Sequence, residues 1–117
     1  MTVKRIVIDI ATNDVPAIQT FYQDLFDLSP VMDQGWIVTL ASGEAVKVQL
    51  SIASEGGSGT QVPDMSIEVD DIDAIYARAK SLGVEIVHDL TDEPWGVRRF
   101  YARDPAGKVL NILAHAE

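Results

Sequence analysis

The 117-residue sequence contains no cysteine, which excludes a disulfide framework, a thiolate metal cluster and a thiol nucleophile. Basic residues are scarce: 9 lysines and arginines stand against 18 aspartates and glutamates, a formal charge of −9. A chain this acidic argues against nucleic acid, whose phosphates demand lysine and arginine clusters, and against anionic membrane surfaces. No apolar stretch approaches the roughly 20 residues of a membrane helix. The apolar run in MTVKRIVIDI is too short for a secretory leader and gives way to Asp9, so the expected location is cytoplasmic. Only two histidines occur, His88 beside Asp89 and His115 near the C-terminus; both read as surface residues. GGSG at 56–59 lacks the lysine and helix of a phosphate loop.

What is present is a repeat. VKRIVIDI at 3–10 reads as a strand. Asn13 or Asp14 can cap a following helix, with Pro16 in its first turn, where a missing N–H does no harm. Val15, Ile18, Tyr22 and Leu25 form one helical stripe. Strand-like segments follow near 30–33, 36–41 and 45–53, the last two joined by a turn at 42–44. After a Gly/Ser-rich stretch at 54–62, expected to be a flexible polar linker, the pattern restarts. MSIEVD at 65–70 is a strand, Asp71 opens a helix, and its stripe of Ile72, Ile75, Ala79 and Leu82 lies 57 positions after its counterpart. Gly83 stops the helix. Strands near 84–88, 96–103 and 108–114 complete the half, with Asp104-Pro105-Ala106-Gly107 as the last turn.

The fold class is therefore α+β. Residues 1–117 are read as one domain of two tandem βαβββ modules (3–53 and 63–115, linker 54–62), forming an open, cup-shaped mixed sheet with its helices outside. Strand alternation sorts the two faces. Val46, Val48, Leu50 and Ile52 go under a helix, which leaves Lys47, Gln49 and Ser51 facing the cup. Met65, Ile67 and Val69 go under the second helix, which leaves Asp64, Ser66 and Glu68. The 57-residue offset then turns Val7 and Asp9 inward. If Arg103 pairs with Lys108 across the last turn, then Arg98, Phe100 and Ala102 face the cup with Asn111, while Arg99 and Tyr101 face out.

These residues carry a family resemblance. DVPAIQTFYQDLF at 14–26 resembles the opening of vicinal-oxygen-chelate proteins, and EPWGVRRFYARDPAGKVLNIL at 93–113 resembles bleomycin-resistance proteins and their relatives in the glyoxalase and extradiol dioxygenase superfamily. In the metal-dependent members, histidine and glutamate ligands occupy four related positions, which fall here on Val7, Gln49, Asp64 and Asn111. Valine cannot bind a metal, and two amides with one carboxylate do not make a catalytic zinc, nickel or iron site. The resemblance thus implies a protein without metal or other cofactor.

The expected function is metal-free binding of a small molecule, an aromatic or cationic one such as an antibiotic, that the protein sequesters. The alternative is a glyoxalase- or dioxygenase-like lyase, isomerase or oxygenase with an atypical metal site or none; catalysis is the less expected role, and no catalytic residue is assigned. Expected ligand-binding residues are Asp9, Trp36, Gln49, Asp64, Trp95, Arg98, Phe100 and Asn111. With Asp9, Asp64 and Glu68 facing Lys47 and Arg98, the cup should favour cations. Open strand edges and apolar rims, like the resemblance itself, imply a homodimer.

Overall fold

An aspartate opens each helix. Asp14 accepts the Ala17 N–H at 3.2 Å ahead of α1 (Val15–Phe26), with Pro16 in the first turn. Its counterpart Asp71 accepts the Ala74 N–H at 3.1 Å ahead of α2 (Ile72–Ser81). Each carboxylate satisfies a backbone donor that has no partner within the helix. The computed structural model describes residues 2–43 and 49–116. They divide into two compact units, one of Val7–Val62 and one of Pro63–Glu117 with the N-terminal segment Met1–Ile6.

The first unit takes β1 (Val3–Ala11) from Val7 onward, with β2 (Ser29–Asp33), β3 (Ile37–Ala41) and β4 (Gln49–Ala53), in the order β2-β3-β4-β1. β4 runs parallel to β1 and antiparallel to β3. Under α1 the buried residues Val15, Val38, Leu40 and Ile52 pack with Ile10, Ile18 and Tyr22. Leu25 is the exception in the expected stripe: it is 61% exposed and takes no part in the core under α1. The first part of the predicted strand 45–53, with Val46, Lys47 and Val48, lies outside the described residues, as does Glu44 of the turn before it. The segment expected to be a flexible linker is folded on itself. Gly56 N–H donates to Thr60 O at 2.8 Å and Thr60 N–H to Gly57 O at 3.0 Å.

The second unit has β5 (Met65–Val69), β6 (Glu85–Asp92), β7 (Val97–Arg103) and β8 (Val109–His115) in the order β5-β8-β7-β6. α2 covers one face, where Val69, Ile72, Ala79, Phe100 and Ala102 form the core with Ile67, Ile75, Tyr76 and Ile112. The chain start is tied to this unit: Thr2 N–H donates to Asp70 Oδ1 at 2.7 Å, and Asp70 N–H donates back to Thr2 O at 3.1 Å. Each module is thus a βαβββ run, and the class is α+β.

One expectation is corrected here. Arg103 pairs with Val109, not Lys108, and Phe100 with Ile112, not Asn111. The cause is the turn. Gly107 N–H bonds Asp104 O, Asp104 N–H bonds Lys108 O, and Gly107 sits at φ 84°. That is a type I turn followed by a left-handed glycine bulge, which adds one residue on the β8 side. Glu93-Pro94-Trp95-Gly96 repeats the pattern: Gly96 N–H bonds Glu93 O, Glu93 N–H bonds Val97 O, and Gly96 lies at φ 92°. A slip of one residue moves every side chain of a strand to the other face. Phe100 and Ala102 therefore lie under α2, and Arg99 and Tyr101 take the opposite face.

Candidate functional site

On the second unit, the face away from α2 carries Ser66 and Glu68 from β5, Asn111 and His115 from β8, and Arg99 and Tyr101 from β7. Arg99 is its centre. Its Nη2 and Nε lie 2.6 and 2.8 Å from Glu93 Oε2, with the two side chains 3% and 2% exposed. Nη1 donates to the Tyr101 hydroxyl at 3.2 Å. The guanidinium carbon lies 4.9 Å from the ring centroids of both Trp95 and Tyr101. His88 meets Tyr101 edge to face at 5.5 Å, and its Nε2 is 3.7 Å from Glu93 Oε2. A buried charge persists only when paired and hydrogen-bonded, and Glu93 and Arg99 meet that requirement for each other.

Beside Tyr101 in the ladder stands Asn111. Its Nδ2 donates to Ser66 Oγ at 3.1 Å, while its Oδ1 is buried without a hydrogen-bond partner among the described residues. Most buried acceptors are satisfied, so this carbonyl is an acceptor waiting for a donor. Glu68 is already matched, by Arg5 Nε at 2.8 Å and His115 Nδ1 at 2.8 Å. Burial pushes the Glu68 carboxyl up. The His115 hydrogen bond, with the charges of Arg5, His115 and Lys4, outweighs that and holds it below the usual value.

The expected site residues divide between the units. Trp95 and Asn111 both belong to this face of the second unit. Asp64 closes the end of β5: its Oδ2 accepts Val109 N–H at 2.7 Å, and its own N–H donates to Val109 O at 2.8 Å. Arg98 and Phe100 are corrected by the bulge. Phe100 is fully buried under α2. Arg98 leaves the face that holds Arg99, binding Asp73 of α2 at 3.1 Å and Asp92 at 3.2 Å. In the first unit, Asp9 and Gln49 share the face opposite α1 with Val7, Thr39 and Ser51, where Thr39 and Ser51 share a buried 2.7 Å hydrogen bond. Trp36 precedes β3, and its carbonyl accepts Ser54 N–H at 2.9 Å. The expected set of charges changes too, since Arg99 replaces Arg98 on this face; Lys47 lies outside the described residues.

Glu93 was not singled out from the sequence, Arg99 and Tyr101 were expected to face out, and His88, expected at the surface, is instead partly buried against Tyr101 with its Nε2 withdrawn from water. The signal was there in the two X-Pro-x-Gly turns, whose final glycine marks a bulge and so sets the parity of β7.

The residues at the positions that the resemblance assigns to a metal are poor ligands. Val7 offers no donor atom, the Asp64 carboxylate is engaged by Val109 N–H, and the Asn111 amide hydrogen-bonds Ser66. Among the described residues, no three His, Asp or Glu side chains group as a metal site.

Two βαβββ modules, each with a polar sheet face turned away from its helix, define a recognisable class of protein. The model of the Glyoxalase/Bleomycin resistance protein/Dioxygenase superfamily matches residues 3–112, and the chain belongs to that superfamily. A 4-hydroxyphenylpyruvate dioxygenase of Caenorhabditis elegans is 51% identical over 35 residues, which are 30% of this chain and only 9% of that enzyme. Among solved structures, one described as an NAD-dependent benzaldehyde dehydrogenase from Legionella pneumophila superposes with a TM-score of 0.79 at 16% identity, covering 95% of this chain and 99% of that one. A glyoxalase/bleomycin resistance protein/dioxygenase superfamily member from Vibrio splendidus gives 0.65 at 19%, covering 97% and 99%. A Streptomyces coelicolor methylmalonyl-CoA epimerase variant in complex with 2-nitronate-propionyl-CoA gives 0.72 at 18%, covering 99% and 100%. At these identities the likeness is one of fold. Among the described residues no helix is long and apolar enough to cross a membrane.

Proposed function

We propose that this protein binds a small organic molecule without a metal, on the face built around Tyr101 and Asn111. The observation that carries the reading is the buried Oδ1 of Asn111, without a partner among the described residues and set in a wall where Glu68 and Glu93 are already matched. An unpaired buried acceptor costs about 1–3 kcal/mol, and a ligand N–H or O–H removes that cost. Trp95, half-buried and stacked on Arg99, supplies aromatic surface on the same face, and the fully buried Tyr101 closes its floor, which suits a ligand with a ring and a donor. With Glu68 matched by Arg5 and Glu93 by Arg99, a preference for a cationic ligand rests on the −9 charge of the chain. Sequestration of an aromatic, cationic compound of the antibiotic kind is the finer form of the proposal; Asp9, Trp36 and Gln49 are candidate contacts within the first unit taken by itself. A homodimer is proposed with it. A ligand screen on chelator-treated protein tests the reading; hits that need added metal would replace it with a metal-dependent lyase, isomerase or oxygenase.

A further inference from the structure

Among the several positions at which the two helices differ, one borders a groove. At the 57-residue offset, Phe21 and Tyr22 of α1 correspond to Arg78 and Ala79 of α2. In the first unit the Tyr22 ring packs against the core between helix and sheet. In the second unit a methyl group stands at that place, and a cavity of about 300 Å³ remains. Its walls are Ala79 of α2, Leu82 just after it, Ala102 of β7, and Leu110 and Ile112 of β8. This is the helix side of the sheet, opposite the face that carries Tyr101 and Asn111. The volume lies at the lower end of the ~300–1,000 Å³ range of small-molecule sites.

Three charged side chains stand at the groove, and two are occupied. Arg103 binds Glu85 Oε2 at 3.1 Å and donates to Gly107 O at 3.3 Å. Asp104 Oδ1 accepts the N–H groups of Ala106 and Lys108. The Arg78 guanidinium makes no ion pair or hydrogen bond among the described residues. The carbonyls at the C-terminal end of α2 do not compete for it, since Arg78 O, Lys80 O and Ala79 O accept from Leu82, Gly83 and Val84 N–H. An apolar slot with one unmatched cation at its rim is complementary to an alkyl chain ending in an anion.

We propose that this groove is a second ligand site, taking a medium-chain carboxylate with its alkyl chain between α2 and the β7–β8 hairpin and its head group on Arg78. The probes are octanoate, octanol and octylamine, followed by amide NMR shifts, with hexanoate for chain length. Octanoate should shift Ala102, Leu110 and Ile112 and bind several-fold more tightly than octanol, with octylamine weakest. Shortening to hexanoate should weaken binding by up to about fourfold per methylene. Arg78→Gln should abolish the advantage of octanoate over octanol. Ala79→Tyr, which installs the residue of the first module, should block all three. Equal binding of octanoate and octanol would overturn the proposal. So would shifts confined to Tyr101 and Asn111, or unchanged octanoate binding by Ala79→Tyr. Should Ala79→Tyr fail to fold, the exposed Arg78→Gln variant decides alone.

Discussion

Arg99 reaches one oxygen of Glu93 with two guanidinium nitrogens, at 2.6 and 2.8 Å, where both side chains are almost wholly withdrawn from water. Removing one member leaves the other as a buried charge without its partner. Arg99→Met should therefore lose about 3–5 kcal/mol of stability. The double change Glu93→Leu with Arg99→Met should lose less than the sum of the two single changes. Urea melts of all four proteins check this. Additive losses would mean that the two charges do not depend on each other.

Glu68 makes the stability depend on acid. Its folded carboxyl titrates below the usual value because the His115 hydrogen bond and the nearby positive charges outweigh burial. A depressed carboxyl contributes stability above its unfolded pKa and loses it as pH falls through the folded one. Between pH 6 and pH 3, the wild type should lose stability more steeply than Glu68→Gln. Parallel curves would contradict the role given to this cluster.

The bulged turn makes a prediction about register. Gly107 has φ 84°, and a Cβ there would meet nothing within 4 Å, so Gly107→Ala carries only the left-handed backbone cost of about 1–2 kcal/mol. Phe100→Ala should cost more, about 3–5 kcal/mol, because the ring is buried under α2. Were Phe100 on the open face, as the sequence alone suggested, its truncation would be mild and would chiefly affect binding.

The proposed homodimer has a candidate face in the first unit. Phe21 and Phe26 flank Tyr22 on α1 and are 56% and 58% exposed, with Leu25 beside them. Neighbouring exposed apolar side chains of this size mark interaction surfaces. Light scattering at tens of micromolar should give twice the chain mass, and Phe21→Lys with Phe26→Lys should halve it. A wild-type monomer would remove the dimer from the account.

Much of this was legible in the sequence because the repeat checks itself. Asp14 and Asp71 lie 57 positions apart, and each caps its helix in the same way. Ile18 and Ile75, at the same offset, pack beneath their helices. The ends of the stripes were misread together: Leu25 is 61% exposed and Leu82 72%, since periodicity does not say where the covering sheet stops. The polar face was misread for a different reason. Strand parity depends on how many residues a turn consumes, and a one-residue bulge at Gly107 exchanged Arg98 and Phe100 for Arg99 and Tyr101. Glu93 was invisible because it sits in a turn, where alternation assigns no face.

The most direct test of metal-free binding is a fragment screen by amide NMR on chelator-treated protein. Ring compounds bearing an N–H or O–H donor should shift Ser66, Tyr101 and Asn111 together, with no metal added. A face that stays silent to the whole panel until a divalent metal is supplied would contradict the proposed function.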